Sequence, residues 1–158
     1  MAAVFGEVED WRLVELSDQW TLGLLNSQWI GHEAGCITDR TLALLRSGLE
    51  RVETHAVLCL HHPPLSPCPQ PDCGLIGSDR LLRVLRGGPV RVVLSGHVHQ
   101  QFETSYEGIA LLGAPSTLSQ LRHGGHPHYT DTGEPPGAQL LDLHDDGEID
   151  HQIVIPEA

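Results

Sequence analysis

Apolar positions along this chain follow two periods. Residues 55–60 and 90–94 are continuous runs rich in valine and leucine, bounded by turn formers, and read as buried strands. Between them the period changes. Leu42, Leu44, Leu45, Leu49 and Val52 recur at helical spacing after Thr38, an N-cap residue, and predict a helix to about residue 53. Ser78 opens a second helix carrying Leu81, Leu82, Val84 and Leu85, which Gly87-Gly88-Pro89 stops. Strand–helix–strand order implies parallel strands joined by right-handed crossovers. Residues 12–16 and 20–25 read as two further short strands, with Gly23 a packing or bulge position. Two hairpins follow, one around Tyr106-Glu107-Gly108 and a closing one around Asp145-Asp146-Gly147. Residues 121–137 read as irregular.

Composition narrows the partners. With 21 acidic against 9 basic side chains the net charge is −12, which argues against a nucleic-acid backbone or an anionic membrane surface. A small anionic substrate would then need a local positive centre, which a bound metal supplies. There is no apolar run of ~18 residues and no basic-then-apolar leader, so the expected setting is cytoplasmic. At 158 residues the chain reads as a single domain, 1–158. Cys59 falls in an apolar run and reads as an inert core thiol. Cys68 and Cys73 share a proline-rich loop, where two free thiols are expected over a zinc clip. A disulfide is disfavoured in a reducing compartment.

The chemistry sits at the strand ends. His61-His62-Pro63-Pro64 follows one buried strand, and Gly96-His97-Val98-His99-Gln100 the next. Gly96 is expected to let the backbone turn sharply. Taken singly, either motif could be a pair of surface histidines. Parallel neighbours bring their carboxyl ends together, so these imidazoles can converge on zinc, iron, manganese or nickel. Alternating histidines around a turn can address two ions ~3.5–4 Å apart, the arrangement used in phosphoester hydrolysis. Such a centre also needs bridging carboxylates, and no Asp or Glu stands at a strand end beside either histidine group. A metallo-β-lactamase-type site would want an acid where Gln100 and Gln101 stand. His123, His126 and His128 lie in the glycine-rich segment, where a solvated loop competes with a substrate mouth. Asp145-Asp146-Gly147 lacks the further acids of a calcium loop.

His61-His62-Pro63-Pro64, Gly96-His97-Val98-His99-Gln100, Ala114-Pro115-Ser116-Thr117 and Pro136-Gly137-Ala138-Gln139-Leu140 occur in an order and spacing that resemble the calcineurin-like metallophosphoesterases. Within that superfamily the chain resembles the C-terminal half of the bacterial class III cyclic-nucleotide phosphodiesterases. Leu25-Asn26-Ser27-Gln28 fits as well, with Asn26 where aspartate is usual. The resemblance implies an α/β fold, the C-terminal half of a four-layer αββα sandwich. It implies a dinuclear iron, manganese or zinc centre, with His61 and His97 on the second metal and His99 on the first. His62 becomes a less directly involved neighbour of the ligands and His123 a substrate-binding candidate. Three family elements are absent: Asp-x-His, Gly-Asp-x-x-Asp and Gly-Asn-His, which supply the bridging carboxylate and the remaining ligands. The resemblance puts the start of the chain just after the last of them, an N-terminally truncated domain.

Two readings follow. In one, the protein is a metal-dependent hydrolase that opens a cyclic nucleotide such as cAMP, or a related phosphodiester, with a metal-bound hydroxide. In the other, the chain is a non-catalytic half-domain or split-enzyme subunit that acts through dimerisation or a complementary N-terminal half.

Overall fold

The fold is taken from a computed structural model, which describes residues 10–123 and 129–156. Its centre is a six-stranded mixed sheet built from β1 (Trp11–Glu15), β2 (Trp20–Leu25), β4 (His55–Cys59), β6 (Val90–Ser95), β7 (Phe102–Tyr106) and β8 (Ile109–Gly113). The order is β1-β2-β4-β6-β8-β7. β2, β4, β6 and β8 run parallel, and β1 and β7 close the edges antiparallel. Helix α1 (Asp39–Leu49) joins β2 to β4 and α2 (Ser78–Leu85) joins β4 to β6. Three short pairs complete the chain: β3 (Gly35–Cys36) with β5 (Leu75–Ile76), β9 (Leu121–His123) with β10 (Tyr129–Asp131), and β11 (Ala138–Leu143) with β12 (Ile149–Val154).

The central strands are apolar on both sides because both sides are covered. Leu58, Val93 and Leu111 face the helices and join Leu45, Leu49, Leu81 and Leu85 in the larger core. Val57, Val92, Leu112 and Trp20 point the other way, toward Leu141, Leu143 and Ile149 of the closing hairpin. Layers therefore run helices, six-stranded sheet, two-stranded hairpin, which matches the expected α/β half-sandwich. Trp11 of the edge strand lays its ring over the bare Cα atoms of Gly23 and Gly48, so Gly23 is a packing position and not a bulge.

The first helix stops short of the expected end. The Thr38 hydroxyl accepts from the Thr41 amide (3.1 Å) and caps it, but the chain leaves the helix at Glu50, and Val52 bonds back to Leu49 as a turn. The second helix starts from Gly77 in the left-handed region (φ 89°), one residue ahead of the serine expected to cap it. An Arg80–Asp39 ion pair ties the two helices. The 121–137 segment is less irregular than expected, since β9 and β10 pair across it. Pairs this short carry no visible period, so β3, β5, β9 and β10 could not be seen from patterning.

The cysteines differ from expectation as well. Cys68 and Cys73 form a disulfide across a single 3-10 turn (Pro71–Cys73). The turn brings their Cα atoms to 5.8 Å, inside the span a disulfide bridges. Cys36 and Cys59 are free, and burial raises the Cys59 thiol above its ordinary pKa, as fits an inert thiol. Among the described residues no helix is long and apolar enough to cross a membrane.

A directed bond ties the hairpin to the sheet, from the buried Trp20 indole to the His144 carbonyl at 2.8 Å. Trp20→Phe removes the donor and strands that carbonyl. It should cost about 1–3 kcal/mol, read as a lower urea midpoint at unchanged m-value.

Candidate metal centre

Parallel pairing of β4 with β6 places Cys59 beside Leu94. The bonding continues past the strands: the Leu60 amide donates to the Leu94 carbonyl (3.1 Å) and the Gly96 amide to the His61 carbonyl (3.0 Å). The two histidine motifs thereby leave the sheet side by side. His61, His62 and His97 each bring a ring nitrogen into one group whose members lie within 4.8 Å of one another. Gly96 itself needs no special backbone, since a Cβ there would meet the His61 ring at an ordinary 3.7 Å. The left-handed conformation falls instead on His97 (φ 65°) and His99 (φ 51°). Histidine tolerates that region better than most residues, at a cost that the surroundings must offset.

Hydrogen bonds set what each ring can do. His97 Nε2 donates to the Asp72 carbonyl at 3.0 Å, so its Nδ1 carries the lone pair. That Nδ1 stands 3.3 Å from His61 Nε2. Two nitrogens bound to one tetrahedral zinc at 2.0–2.1 Å would be about 3.3–3.4 Å apart. His99 follows the same rule: Nδ1 donates to the Ser119 carbonyl at 3.0 Å and leaves Nε2 unprotonated. A ligating imidazole tied to a backbone carbonyl through its other nitrogen is the usual way a metal histidine is oriented.

His62 is committed elsewhere. Its Nε2 donates to the Glu33 carbonyl (2.9 Å), and its Nδ1 accepts from the Ser27 hydroxyl (2.8 Å). Both nitrogens are used, so the buried His62 joins the group in space and braces it without offering a lone pair. Gly35 makes room for it, since a Cβ there would sit 2.5 Å from the His62 ring. Burial, then the His97 ring, pushes the His62 pKa down to about 4. His61 is also lowered, by burial and then by His97 and His99. Both rings are therefore neutral at physiological pH, the form in which His61 can bind metal.

Of the expected ligands, the structure brings His61 and His97 together and puts His99 outside that group. His99 faces a separate cavity of about 550 Å³ that also takes in Gln100, Arg122 and Glu134, while His97 and His61 line a groove with Asn26, His32 and Glu33. The Pro115 ring packs against Gly137, and the Gly137 amide donates to the Ser116 carbonyl (3.0 Å), so the two later sequence motifs meet at the His99 cavity. The backbone of His123 ends β9 opposite Tyr129. Its side chain, and all of His126 and His128, lie outside the described residues. Among the described residues no Asp or Glu carboxylate joins the histidine group. Sequence reading missed Arg122, which gave no motif signal, and Asp72 and Ser119, which act through backbone carbonyls that no side-chain pattern reveals.

Known proteins resemble the chain over most of its length. The chain is 34% identical over 144 residues to a probable cyclic nucleotide phosphodiesterase of Synechococcus sp. strain WH7803, covering 85% of this chain and 54% of that protein. It is 34% identical over 147 residues to the 3′,5′-cyclic adenosine monophosphate phosphodiesterase CpdA of Escherichia coli K12, covering 89% of this chain and 52% of the relative. The chain is similar to cyclic-nucleotide phosphodiesterases over most of its own length. It spans about half the length of the curated relatives it matches. No family model matches it. Solved structures agree on the fold. A dimetal phosphatase from Danio rerio superposes with TM-score 0.60 at 11% identity, over 92% of this chain and 60% of that one. GAP50, the anchor in the inner membrane complex of Plasmodium, gives 0.63 at 15%, over 92% and 49%.

Two outcomes are expected from the His62 brace. Gly35→Ala forces the ring out of its pocket and should destabilise the fold by about 1–3 kcal/mol, measured by thermal or urea unfolding. Between pH 6.5 and about 4 the unfolded chain takes up a proton on His62 that the folded chain refuses. Stability from this group is thus fully present above pH 6.5 and falls as pH drops toward 4. Urea midpoints across that window should show the slope, and His62→Gln should flatten it.

Proposed function

We propose that this chain supplies the histidine side of a two-metal phosphodiesterase centre, acting on a cyclic nucleotide such as cAMP or a related phosphodiester. The observation that carries the proposal is the approach of His61 Nε2 to His97 Nδ1 at 3.3 Å, with His97 turned into ligand orientation by the Asp72 carbonyl. The likeness to cyclic-nucleotide phosphodiesterases supports the substrate class. The donor set fits iron, manganese or zinc, which accept neutral imidazole. His61 and His97 would hold one ion and His99 the other. When bound, divalent metal polarises the phosphoryl oxygens and makes hydroxide available near neutral pH. This chain's own residues hold that chemistry in place. His62 braces the group from behind, Val98 fixes the loop between the two ligand histidines, and Arg122 beside His99 offers the phosphate a positive partner in an otherwise acidic protein. His123, at the end of β9, is kept in this reading as a substrate-binding candidate. The chain would act as one domain over residues 1–158.

A second reading has its own support. Among the described residues the donor group is all histidine, and the sheet face under the hairpin opens toward the histidine edge: Trp20 is 2% exposed, whereas Leu24 is 40% exposed. Here the chain is a half-domain that becomes catalytic only with a complementary half, or a second copy, carrying the carboxylates.

Elemental analysis and turnover of cAMP and bis(4-nitrophenyl) phosphate with manganese separate the readings. The assay is run on the chain alone and on the chain joined to the amino-terminal half of a relative. Turnover only in the joined form is expected, with His61→Ala and His97→Ala each lowering it by more than about 100-fold, beyond the loss typical of an outer partner. Turnover by the chain alone would sink the half-domain reading. No turnover in either form would sink the phosphodiesterase reading.

A further inference from the structure

The Cys68–Cys73 disulfide is placed where the metal reading has no use for it, yet it touches the histidine loop twice. Cys68 (6% exposed), Cys73 (5%) and Val98 (0%) form a small core of their own, with Phe102 packed against it. Val98 is the residue between His97 and His99. Both of its neighbours are in the left-handed region, a backbone that persists only where packing holds it. The disulfide is part of that packing. The second contact runs through the ring that the disulfide closes. Inside it, the 3-10 turn uses the Gln70 and Pro71 carbonyls for the Cys73 and Gly74 amides, each at 3.1 Å, and the Asp72 carbonyl accepts from His97 Nε2 at 3.0 Å.

We propose that the Cys68–Cys73 disulfide is a positioning element for the histidine centre, holding His97 in one tautomer and one orientation through the Asp72 carbonyl and the buried Val98. A six-residue loop with two prolines and no long ladder would otherwise sample several shapes, and with them several placements of that carbonyl. Closing it removes those alternatives. A bond to a backbone carbonyl is what decides which imidazole nitrogen keeps the lone pair. The clip therefore acts on which atom His97 presents, and not only on how stable the loop is. Phe102 extends the same support into the sheet, since its ring lies across the bare Cα of Gly113 in the neighbouring strand. The consequence for metal affinity rests on His97 being a ligand; the consequence for its tautomer does not.

The test reads both. Histidine ring nitrogen correlation spectra are recorded on the oxidised protein, on protein reduced with a phosphine and desalted, and on Cys68→Ala/Cys73→Ala. Co(II) affinity is measured on the same three samples, and thiol titration confirms their redox state. The expected result is His97 held as the Nε2–H tautomer when oxidised. Both the reduced and the variant samples should move toward the mixture of a free histidine and lose about 10–100-fold in Co(II) affinity, the range for an outer partner of a ligand. A disulfide that is only a loop staple would lower the unfolding midpoint and leave the His97 signature in place, and that result overturns the proposal. So does an oxidised protein whose His97 is already a tautomer mixture. If the double variant does not fold, the reduced wild-type protein decides. Absence of Co(II) binding in every sample refutes the ligand reading of His97, while the tautomer spectra still decide the role of the disulfide.

Discussion

Everything at the histidine edge depends on the register of β4 against β6. The pairing is parallel, and its hydrogen bonds continue beyond the strands through Leu60 to Leu94 and Gly96 to His61. Register here is set by burial on two sides. Leu58 and Val93 must face the helices, while Val57 and Val92 must face the hairpin. A slip of one residue would exchange the two sets and turn His61 away from His97. The hydrophobic pattern that stabilises the sheet is thus also what brings His61 Nε2 and His97 Nδ1 within 3.3 Å of each other. No interaction between the histidines is needed to gather them. Two imidazoles gain little from each other in isolation, and burial beside His97 and His99 lowers the pKa of His61 rather than raising it.

Tying the loop down is a separate matter, and different contacts do it. Leaving β6, the chain takes His97 and His99 through the left-handed region, with Val98 buried between them. Backbone of that kind is stable only when its side chains are over-determined. Each of the three is: His97 by the Asp72 carbonyl, Val98 by the disulfide cluster, His99 by the Ser119 carbonyl. Those partners come from two loops that are far apart in sequence, one holding Asp72 and the disulfide and the other Ser119. The sheet supplies the approach of the histidines and the loops supply their tautomers.

That division explains what could be read in the sequence. His61, His97 and His99 were legible because each follows a run whose period and β-branching announce a strand end. So were the two-sided strands and both hairpins, whose turns are written in Glu107-Gly108 and Asp146-Gly147. The role of His62 was only partly legible, since it is decided by Ser27 and Glu33 in a loop about 30 residues earlier. The Asp72 and Ser119 carbonyls were not legible at all, because a backbone acceptor leaves no trace in residue identity. The disulfide was misread because compartment was weighed and loop geometry was not: the 3-10 turn at Pro71–Cys73 brings the two cysteines together whatever surrounds them. Gly96 was misread in the opposite sense. A glycine before two histidines looks like the strained position, but the strain falls on the histidines, where it also sets the direction of the rings.

The chemistry that remains is a question of charge. Imidazoles can orient divalent ions but cannot offset their charge, and among the described residues no carboxylate joins the group of His61, His62 and His97. An overall charge of −12 does not solve this, because surface carboxylates more than a Debye length away are largely screened. The compensating groups have to stand at the site. The sheet shows where they would fit. Along β2 the face toward the hairpin runs from Trp20, sealed by the His144 carbonyl, to Leu24, largely open. The hairpin turn lies over the amino ends of β2 and β4, where Gly147 meets the His55 ring, and cover thins toward the carboxyl ends. The open apolar end and the histidine group are therefore at the same end of the molecule. A layer of protein bearing carboxylates packed there would bury the first and, were the histidines to hold ions, offset their charge.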